Sequence, residues 1–319
     1  MIVVTGGAGF IGSNIVYALN KVGIRDILIV DDLTDGHKSR NLNALDFLDY
    51  IDKDDFITSL ERYTRYGIHT IFHQGACADT MEHDGHKMMR MNYEYSKILF
   101  DFAMHHTIRF LYASSAAVYG NGDSGFTESR ANENPLNVYA YSKFIFDQYV
   151  RRHQANLPAQ TVGLRYFNVY GQQENHKARM ASTIYHFYHQ LKNERVAKLF
   201  EGSDTFLRDF IYVNDVVNVN MFFFNNPDKS GIYNCGTGNA ESFLTIAQTL
   251  ITLEQKGTIE LTPFPESLKG KYQVFTQADI TSLRASGYTN QFTSLTDGIR
   301  LYYTYLSQNS GFLQREKNS

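Results

Sequence analysis

A tyrosine and a lysine stand four residues apart near the middle of the chain, in the segment Tyr139-Ala140-Tyr141-Ser142-Lys143. Residues four apart on a helix share a face, so the phenol of Tyr139 and the ammonium of Lys143 should point the same way. A neighbouring cation stabilises a phenolate and lowers the tyrosine pKa from about 10 toward neutrality. We therefore interpret Tyr139 as a general acid and base and Lys143 as the cation that assists it.

A serine precedes this pair in the segment Ala113-Ser114-Ser115-Ala116-Ala117-Val118-Tyr119-Gly120, where an apolar run ends. The Ser115 hydroxyl could donate a hydrogen bond to a reacting carbonyl or alkoxide. The pattern Tyr-x-x-x-Lys is common by chance. A strand-end serine, a tyrosine and a lysine downstream of a glycine-rich turn form a far more specific combination.

The glycine-rich turn lies at the start of the chain, where Gly6, Gly9 and Gly12 follow the apolar run Ile2–Thr5. Such glycines permit a tight turn, close approach of the backbone to a pyrophosphate, and close packing of helix on strand. The following helix offers free N–H groups and the positive end of its dipole to the anion. Because the turn joins a strand to a helix, we interpret it as a dinucleotide site rather than an ordinary glycine-rich turn.

The second apolar run leaves the choice of dinucleotide open. It ends in Asp31 and Asp32, about 20 residues after the glycines, where a carboxylate typically accepts hydrogen bonds from the ribose hydroxyls of NAD. Lys38, Arg40 and Lys53 follow, and a cation there could hold the 2′-phosphate of NADP. On pattern alone, a solvated surface charge explains each lysine better than a phosphate contact does, and spacing does not decide between NAD and NADP.

Small residues follow the next apolar run, Thr70–His73, in the segment Gln74-Gly75-Ala76-Cys77. They would let the backbone approach the cofactor closely, and we interpret Cys77 as a small packing residue rather than a nucleophile. Asn92 lies on the helix that follows. It either hydrogen-bonds the backbone near the cofactor or is an amide on the helix surface.

The scaffold for these residues is predicted by apolar runs that alternate with helical patterns. The runs are Ile2–Thr5, Ile27–Val30, Thr70–His73, Phe110–Ala113 and Thr161–Leu164, and the segments among them are Ile11–Val22, an Asp-rich stretch from Asp46 to Leu60, Lys87–His105 and Val138–His153. This order predicts an α/β fold, a Rossmann doubly wound parallel sheet. Further helices, predicted at Met180–Leu191, Asp215–Phe224 and Phe243–Leu253, indicate a smaller α+β lobe. We predict a dinucleotide-binding domain at residues 1–168 and a mainly substrate-binding lobe at 169–319, with segments crossing back.

Composition narrows the function classes. The net charge of -3 comes without an obvious basic stripe, which argues against a nucleic-acid partner. Cys77 and Cys235 are far apart and form no metal-binding pattern, so we expect neither a disulfide framework nor a metal site and favour a reducing compartment. We expect no signal peptide and no membrane span, and therefore a cytoplasmic protein.

The motifs together resemble the extended short-chain dehydrogenase/reductase family, whose C-terminal lobes bind nucleotide sugars. The resemblance covers nearly the whole chain, through Arg165–Gly171 and Arg208–Val213. Further segments look like the branch of 6-epimerases that act on ADP-activated heptose: Gly36-His37-Lys38, Gln74–Cys77, Asn134–Tyr139, Glu174–Lys177, Met180-Ala181-Ser182, Leu199–Ser203 and Leu268–Gln273. The last three are unusual in 4-epimerases and are therefore the most discriminating.

The resemblance implies a role for each matching residue. Tyr139 would be one catalytic acid and base and Lys177 the second, with Ser115 assisting and Lys143 holding the cofactor ribose. The cofactor would be tightly held NADP, contacted by Gly6, Gly9, Phe10, Ile11, Gly12, Asp31, Asp32, Lys38, Lys53, Gln74, Gly75, Ala76, Cys77, Ala78, Asp79, Asn92, Lys143, Val169 and Lys177. The substrate would contact Asn168, Arg179, His186, Phe200, Glu201, Gly202, Ser203, Arg208 and Tyr272. The resemblance also implies epimerisation of ADP-heptose at C6 for lipopolysaccharide synthesis, and a homo-oligomer, a pentamer.

Two positions depart from the family pattern. Asp32 stands where the family often carries Asn, and a carboxylate would repel a 2′-phosphate. Arg179 replaces a small polar residue, which could add a phosphate contact or shift the sugar preference. Lys177 alone could be a surface lysine, Arg208 could form a structural salt bridge with Asp209 or Asp215 instead of binding a diphosphate, and Tyr272 could be a core residue.

Other functions remain open at this point. A UDP-hexose 4-epimerase or another nucleotide-sugar enzyme of the same fold is the main alternative. A 4,6-dehydratase fits less well, because Ala117-Val118 stand where such enzymes carry Asp-Glu. A non-catalytic protein that senses NADP is the remote alternative, since such proteins commonly lose the tyrosine or the lysine.

Overall fold

A computed structural model describes residues 1–266 and 273–315 of the chain. In this part, the strands are β1 (Ile2–Thr5), β2 (Ile27–Asp31), β3 (Asp49–Asp52), β4 (Thr70–His73), β5 (Arg109–Ser115), β6 (Thr161–Tyr166), β7 (Asn168–Tyr170), β8 (Val196–Phe200), β9 (Leu207–Tyr212), β10 (Gly231–Cys235), β11 (Ala240–Ser242) and β12 (Thr258–Thr262). The α-helices are α1 (Phe10–Lys21), α2 (Lys53–Thr58), α3 (Gly85–Met88), α4 (Tyr95–His105), α5 (Val138–His153), α6 (Thr183–Glu194), α7 (Val213–Asn225), α8 (Phe243–Glu254), α9 (Thr281–Ala285) and α10 (Leu295–Asn309).

The central sheet has seven strands in the order β10-β6-β5-β4-β1-β2-β3, and every neighbouring pair is parallel. Strands such as β1, β4 and β6 are buried along their whole length, as expected for strands covered by helices on both faces. One face packs on Ile15 and Leu19 of α1 and on Val216 of α7, and the other on Phe100 of α4 and Phe146 of α5. The predicted Rossmann doubly wound sheet is confirmed.

The chain winds outward from β1 in both directions, so the strand order reverses between β1 and β4. In doubly wound sheets the ligand crevice lies at this point, outside the carboxyl ends of the strands. The glycine-rich turn follows β1, the Asp31-Asp32 pair ends β2, and Gln74 follows β4. The topology therefore gathers these segments at one edge of the sheet.

A smaller layer stands beside this edge. It contains the sheet β11-β9-β7 and the pair β12-β8. Helices α6, α8 and α10 pack around a separate core that includes Phe187, Leu250 and Tyr302. Residues 231–235 return to the central sheet as β10, so the chain crosses between the layers after residue 168.

Several element boundaries differ from those expected. The bounds of α5 agree with the predicted Val138–His153. The long pattern Lys87–His105 is not one regular helix, because Met89–Glu94 forms a π-helical segment between α3 and α4. The Asp-rich stretch divides into β3 and α2, and the predicted helix at Met180 begins instead at Thr183, where Ser182 accepts a hydrogen bond from the N–H of Tyr185. None of the described helices combines the length and the apolar character that crossing a bilayer requires.

Candidate active site

The glycine-rich turn is closed by contacts that only glycine permits. Gly6 has φ +68°, in the left-handed region, and its N–H donates to the carbonyl of Val30 at 2.7 Å. A Cβ at Gly6 would lie 2.6 Å from the backbone nitrogen of Gly75, and one at Gly12 would lie 2.1 Å from the Gly6 carbonyl oxygen. The turn thus brings α1 and the segment after β4 against the end of β1.

The start of α1 suits an anion. Its N-cap residue is Gly9, so no side chain accepts a hydrogen bond from the first turn of the helix. These N–H groups and the helix dipole can bind a pyrophosphate. The residues present therefore fit the diphosphate of a dinucleotide.

Asp31 holds the turn in place. It is 5% exposed, and its carboxylate accepts hydrogen bonds from the N–H groups of Ala8 at 2.8 Å and Asp32 at 2.7 Å. The ammonium of Lys38 also binds it and donates to the carbonyl of Asp32 at 2.8 Å. Because both oxygens of Asp31 are occupied, Asp32 is the better placed of the two to reach a ribose.

Asp32 lies between two cations. Its side chain is 32% exposed, Oδ1 accepts from the N–H of Thr34 at 2.8 Å, and Oδ2 lies 3.0 Å from Nζ of Lys53. The hydrogen bonds from Thr34, followed by that from Lys53, hold the pKa of Asp32 well below its usual range. Asp31 and Asp32 thus offset the charges of Lys38 and Lys53.

A cavity of about 580 Å³ extends from the glycine-rich turn past this pair. Its lining includes Gly6, Gly75, Ala76 and Cys77 and the largely apolar side chains of Ile57, Met91, Tyr95 and Ile98. An apolar pocket beside a ribose and a pyrophosphate site suits a purine base. The cavity therefore fits the adenosine half of a nicotinamide dinucleotide.

Asn92 connects this cavity to helix α5. In the π-helical segment, Oδ1 of Asn92 accepts from the N–H of Cys77 at 2.8 Å, and Nδ2 donates to the Cys77 carbonyl at 3.0 Å and to Oγ of Ser142 at 3.1 Å. Asn92 is buried, so the interpretation as a surface amide is wrong. A π-bulge is a common device for turning one side chain into a site.

Gln74 has an unused donor. Its Oε1 accepts from the hydroxyl of Tyr166 at 2.9 Å, but Nε2 is buried and has no partner within residues 1–266 and 273–315. A buried donor without a partner is costly, so a ligand that accepts this hydrogen bond would be stabilised here. This is a second feature that fits a bound dinucleotide or sugar.

The structure brings the serine, the tyrosine and the lysine together. The side chain of Tyr139, near the start of α5, lies close to that of Ser115 at the end of β5, and Lys143, 5% exposed, donates to the carbonyl of Ala113 at 2.9 Å. Burial lowers the pKa of Lys143 to about 8. Burial also raises the pKa of Tyr139, while the bond to Ser115 lowers it. The expected shift of the Tyr139 pKa toward neutrality is therefore wrong for this structure, because desolvation dominates.

Lys177 is not a solvated surface lysine. Its side chain is half-buried, and its ammonium lies 5.1 Å from the ring centre of Phe10, the first residue of α1. Burial lowers the pKa of Lys177, and the carboxylate of Glu174 opposes this. Next to it, Ala178 has φ +46°, a strained conformation for a residue with a Cβ. The structure thus places a second amine at the start of α1.

Arg179 lies at the surface of the same segment. Its side chain is 68% exposed, and its guanidinium binds the carboxylate of Asp79 at 2.6 Å. This ion pair joins the segment Asn175–Met180, called here the Lys177 segment, to the loop after β4. A contact of Arg179 with substrate stays a prediction. Ala78 lies on the loop that this ion pair holds.

The predicted substrate residues lie on the smaller layer. Asn168 is on β7, His186 is on α6, Phe200 is the last residue of β8, Glu201, Gly202 and Ser203 lie in the turn that follows it, and Arg208 is on β9. Val169, predicted as a cofactor contact, also lies on β7. Arg208 is 5% exposed, with its guanidinium 5.8 Å from the ring centre of Phe243. Tyr272 lies outside the described residues.

The carboxylates of Asp209 and Asp215, which were considered as salt-bridge partners of Arg208, are bonded to other groups. Asp209 accepts hydrogen bonds from the N–H groups of Thr237, Gly238 and Ala278 and from the Thr237 hydroxyl. Asp215 accepts from the N–H of Thr293 at 2.8 Å. Both carboxylates are thus engaged by other groups, which leaves the role of Arg208 in binding a diphosphate as a prediction.

Sequence reasoning overlooked two buried acids. Glu174 accepts hydrogen bonds from the N–H and hydroxyl of Ser182 and from the N–H of Gly171, and so anchors both ends of the Lys177 segment. Asp147 lies one turn beyond Lys143 on α5. The repeated four-residue spacing of Tyr139, Lys143 and Asp147 was a usable signal for the second. In residues 1–266 and 273–315 no cluster of side chains suited to a metal ion occurs.

Comparison with known proteins decides the family. Residues 2–236 match the model of the NAD dependent epimerase/dehydratase family. The chain belongs to this family. Its sequence is 54% identical over 319 residues to ADP-L-glycero-D-manno-heptose-6-epimerase of Brachyspira hyodysenteriae, covering 98% of the chain and 100% of that relative. The chain is accordingly an epimerase and therefore an isomerase.

Solved structures of epimerases also superpose on this chain. The crystal structure of Helicobacter pylori ADP-L-glycero-D-manno-heptose-6-epimerase superposes with a TM-score of 0.86 at 30% identity, covering 96% of each chain. UDP-glucose 4-epimerase from Thermotoga maritima, solved with UDP-glucose, has a TM-score of 0.82 at 24% identity, covering 97% of this chain and 99% of its own. The second match shows the fold alone. Membership of this family supports a nicotinamide cofactor.

Proposed function

We propose that this epimerase converts ADP-D-glycero-D-manno-heptose to ADP-L-glycero-D-manno-heptose by inversion at C6. The observation that carries the proposal is the second half-buried amine, Lys177, at the start of α1, in addition to the Tyr139, Ser115 and Lys143 set. Inversion needs a proton-transfer group for each of two opposite faces of the sugar carbon. The relatives that bear this activity in their names support the choice of substrate.

The cofactor makes inversion at an unactivated carbon possible. Held beside Tyr139 and Lys143, a nicotinamide would supply a hydride acceptor and donor, so that C6 could be oxidised and then reduced again on its other face. One of Tyr139 and Lys177 removes the C6 hydroxyl proton, and the other protonates the new alkoxide. Ser115 hydrogen-bonds Tyr139 and can turn its donor to the sugar oxygen, while Lys143 supplies a positive charge beside the phenol and the ribose.

The burial of Lys177 and of Tyr139 suits the proton transfers proposed for them. A buried lysine loses its proton more readily than one in water, and burial lowers the pKa of Lys177, which favours its use as a base as well as an acid. Its position over Phe10 keeps water away from one side of the ammonium. Tyr139 is a neutral phenol at neutral pH, because burial raises its pKa, and begins as a proton donor.

We propose NADP as the cofactor. Lys38 and Lys53 stand on either side of the expected ribose and can turn from Asp31 and Asp32 to a 2′-phosphate. Asp32 is the observation that favours NAD instead, since its carboxylate can accept both ribose hydroxyls and repels a phosphate. The nucleotide released from the purified protein by denaturation, identified by mass, distinguishes the two.

The smaller layer would hold the ADP-heptose. Arg208 is the proposed diphosphate anchor, because a guanidinium binds phosphate oxygens bidentately, and Phe243 beneath it fixes its plane. Asn168, His186 and the turn 200–203 would complete the pocket, with Arg179 at its edge. We further propose a cytoplasmic homo-oligomer, a pentamer, whose product enters the inner core of lipopolysaccharide.

A substrate panel tests the assignment. The purified protein is incubated separately with ADP-D-glycero-D-manno-heptose, UDP-glucose and UDP-N-acetylglucosamine, and the epimers are resolved by chromatography. Only the ADP-heptose should give an epimer, in an equilibrium mixture. Turnover of a UDP-hexose with no turnover of ADP-heptose would instead assign a 4-epimerase, and cofactor binding without any turnover would indicate a sensing protein.

A further inference from the structure

The catalytic helix carries a third ionisable residue on the face of Tyr139 and Lys143. Asp147 follows Lys143 by four residues, so the three side chains form one row along α5. Asp147 is 0% exposed and lies at the end of the row farthest from the predicted cofactor cleft. A carboxylate buried so completely requires partners.

Three donors hold Asp147 in one orientation. The hydroxyl of Tyr112 donates to Oδ1 at 2.9 Å, and the hydroxyl of Ser114 at 3.0 Å and Nε of Arg165 at 2.9 Å donate to Oδ2. Tyr112 and Ser114 lie on β5 and Arg165 on β6, so the central sheet fixes the carboxylate. Asp147 cannot rotate toward Lys143 without losing these bonds.

The cluster continues on the far side of Arg165. This guanidinium, 0% exposed, also binds the carboxylate of Glu133 and the hydroxyl of Tyr119, and Arg151 binds Glu133 at 2.7 Å. The cluster therefore contains two carboxylates and two guanidinium groups. Only Asp147 adjoins Lys143 on the same helix face.

We propose that Asp147 is a positioning residue whose fixed negative charge keeps the Lys143 side chain an ammonium ion. Burial favours the neutral amine at Lys143, and the Asp147 carboxylate opposes this effect of burial, even though Arg165 offsets part of its charge. The ammonium then keeps its hydrogen bond to Ala113 and its charge beside the phenol. The inference rests on the proposed function only for the roles of Tyr139 and Lys143.

Other ionisable groups face the pair and do not replace Asp147. Lys143 also faces Tyr139 on its own helix and His73 and Cys77 from β4 and the loop after it. His73 has a pKa lowered to about 3 by burial and stays neutral throughout the working range. Cys77 also raises the pKa of Lys143, but by less than Asp147 does. Asp147 itself faces Tyr112 and Arg165, with Arg151 behind them.

The test compares two isosteric changes in the cluster. Asp147→Asn removes the charge beside Lys143, and Glu133→Gln removes a charge from the other side of Arg165. The dissociation constant for NADPH, read from nucleotide fluorescence, and kcat/KM for the heptose are measured from pH 6 to pH 10. In Asp147→Asn the alkaline loss of binding and activity should move to lower pH by about one unit. In Glu133→Gln it should stay at the wild-type pH, although both variants should melt earlier.

The outcomes separate the inference from the proposed function. An unshifted alkaline limb in Asp147→Asn, or an equal shift in Glu133→Gln, overturns the inference even if the heptose is epimerised. A shifted NADPH-binding limb without any epimerisation supports the inference and overturns the proposed substrate. Asp147→Glu restores the charge and should restore the limb. Should the amide fail to fold, the smaller Asp147→Ser carries the same expectation.

Discussion

At the level of single residues, the proposed chemistry depends on two lysines, Lys143 and Lys177, whose surroundings differ. Lys143 donates to the Ala113 carbonyl and has Asp147 behind it, whereas Lys177 lies over an aromatic ring and has Glu174 as its nearest opposing charge. Burial disfavours the ammonium at both. Both are thus buried amines opposed by a carboxylate, and they differ in that Lys143 donates to a backbone carbonyl whereas Lys177 lies over an aromatic ring.

Removing either proposed proton-transfer group should stop epimerisation without emptying the cofactor site. Tyr139→Phe and Lys177→Met should each reduce kcat by about 100-fold or more, because a missing acid or base in the transition state has a cost of that order. The bound nucleotide, measured after denaturation, should be unchanged. Lys198→Met alters an exposed lysine paired with Glu194 and should leave kcat at the wild-type value. Full activity in Lys177→Met would refute its role.

Asp32 should control the choice of cofactor. Asp32→Asn removes a negative charge between Lys38 and Lys53 and leaves both lysines available to a phosphate. The ratio of NADPH to NADH affinity should rise about tenfold, the size of one screened charge interaction near a surface. Titration by nucleotide fluorescence measures both constants. Asp49→Asn, an exposed change on β3, is the control, and an unchanged ratio in Asp32→Asn would contradict the assignment.

At the scale of elements, the site depends on how β1 turns into α1. Gly9 leaves the first turn of α1 without a side-chain cap, and Gly6 and Gly12 bring the helix close enough to β1 for that turn to face the cleft. The same turn also brings Gly6 against Gly75 after β4. One short segment therefore shapes two walls of the cofactor site.

Gly12→Ala should disrupt this segment although alanine favours a helix by about 1 kcal/mol. Its Cβ would lie 2.1 Å from the Gly6 carbonyl oxygen and 3.0 Å from the Gly7 Cα, and backbone atoms cannot move aside as side chains do. The melting temperature should fall and bound cofactor should be lost. Gly36→Ala, where nothing lies within 4 Å of the added Cβ, should match wild type in both assays. An equally stable Gly12→Ala protein with bound cofactor would contradict the model of the turn.

Local sequence patterns predicted some elements well and others poorly, for physical reasons. The apolar runs of the central sheet are buried on both faces and helix α5 begins at an Asn137 cap, so each leaves a strong local signal. The π-helical segment at Met89–Glu94 inserts one residue into an otherwise regular pattern, and only contacts with Cys77 and Ser142 reveal its purpose. The short strands β7 and β11 are defined by pairing with β9, which no local pattern predicts.

The candidate site also contains some features that the sequence predicts and others that it does not. The spacing of Tyr139 and Lys143 and the three glycines could be recognised from the sequence because their geometry is local. The role of Asp31 could not be derived locally, because it depends on Ala8 and Lys38 reaching the same carboxylate. Nor could the burial of Lys177, which depends on Phe10 more than 160 residues earlier.

At the scale of the whole molecule, a buried neutral histidine makes stability depend on pH. His73 is 2% exposed, bonded to the hydroxyls of Thr5 at 2.6 Å and Ser96 at 2.8 Å, and burial lowers its pKa to about 3. Above about pH 6.5 it is neutral in both the folded and the unfolded chain. As the pH falls below that value the unfolded chain takes up a proton that the folded chain cannot, so the free energy of unfolding falls.

Melting temperature should therefore decrease between pH 7 and pH 5. His73 alone should lower the free energy of unfolding by about 2 kcal/mol over this range. His73→Gln should be less stable at pH 7 yet lose less on acidification, whereas the exposed His105→Gln should follow wild type. Calorimetry at both pH values measures this. A wild-type melting temperature that stays constant from pH 7 to pH 5 would contradict the burial of a neutral imidazole.

We propose that C6 is inverted by transient oxidation with one tightly held nicotinamide, assisted by Tyr139 and Lys177. The most direct measurement is epimerisation of ADP-D-glycero-D-manno-heptose in D₂O, followed by NMR of the product. A hydride that leaves and returns within the site never exchanges with solvent, so we expect an L-glycero product that carries hydrogen, not deuterium, at C6. Deuterium at C6, or no epimer at all, would contradict it.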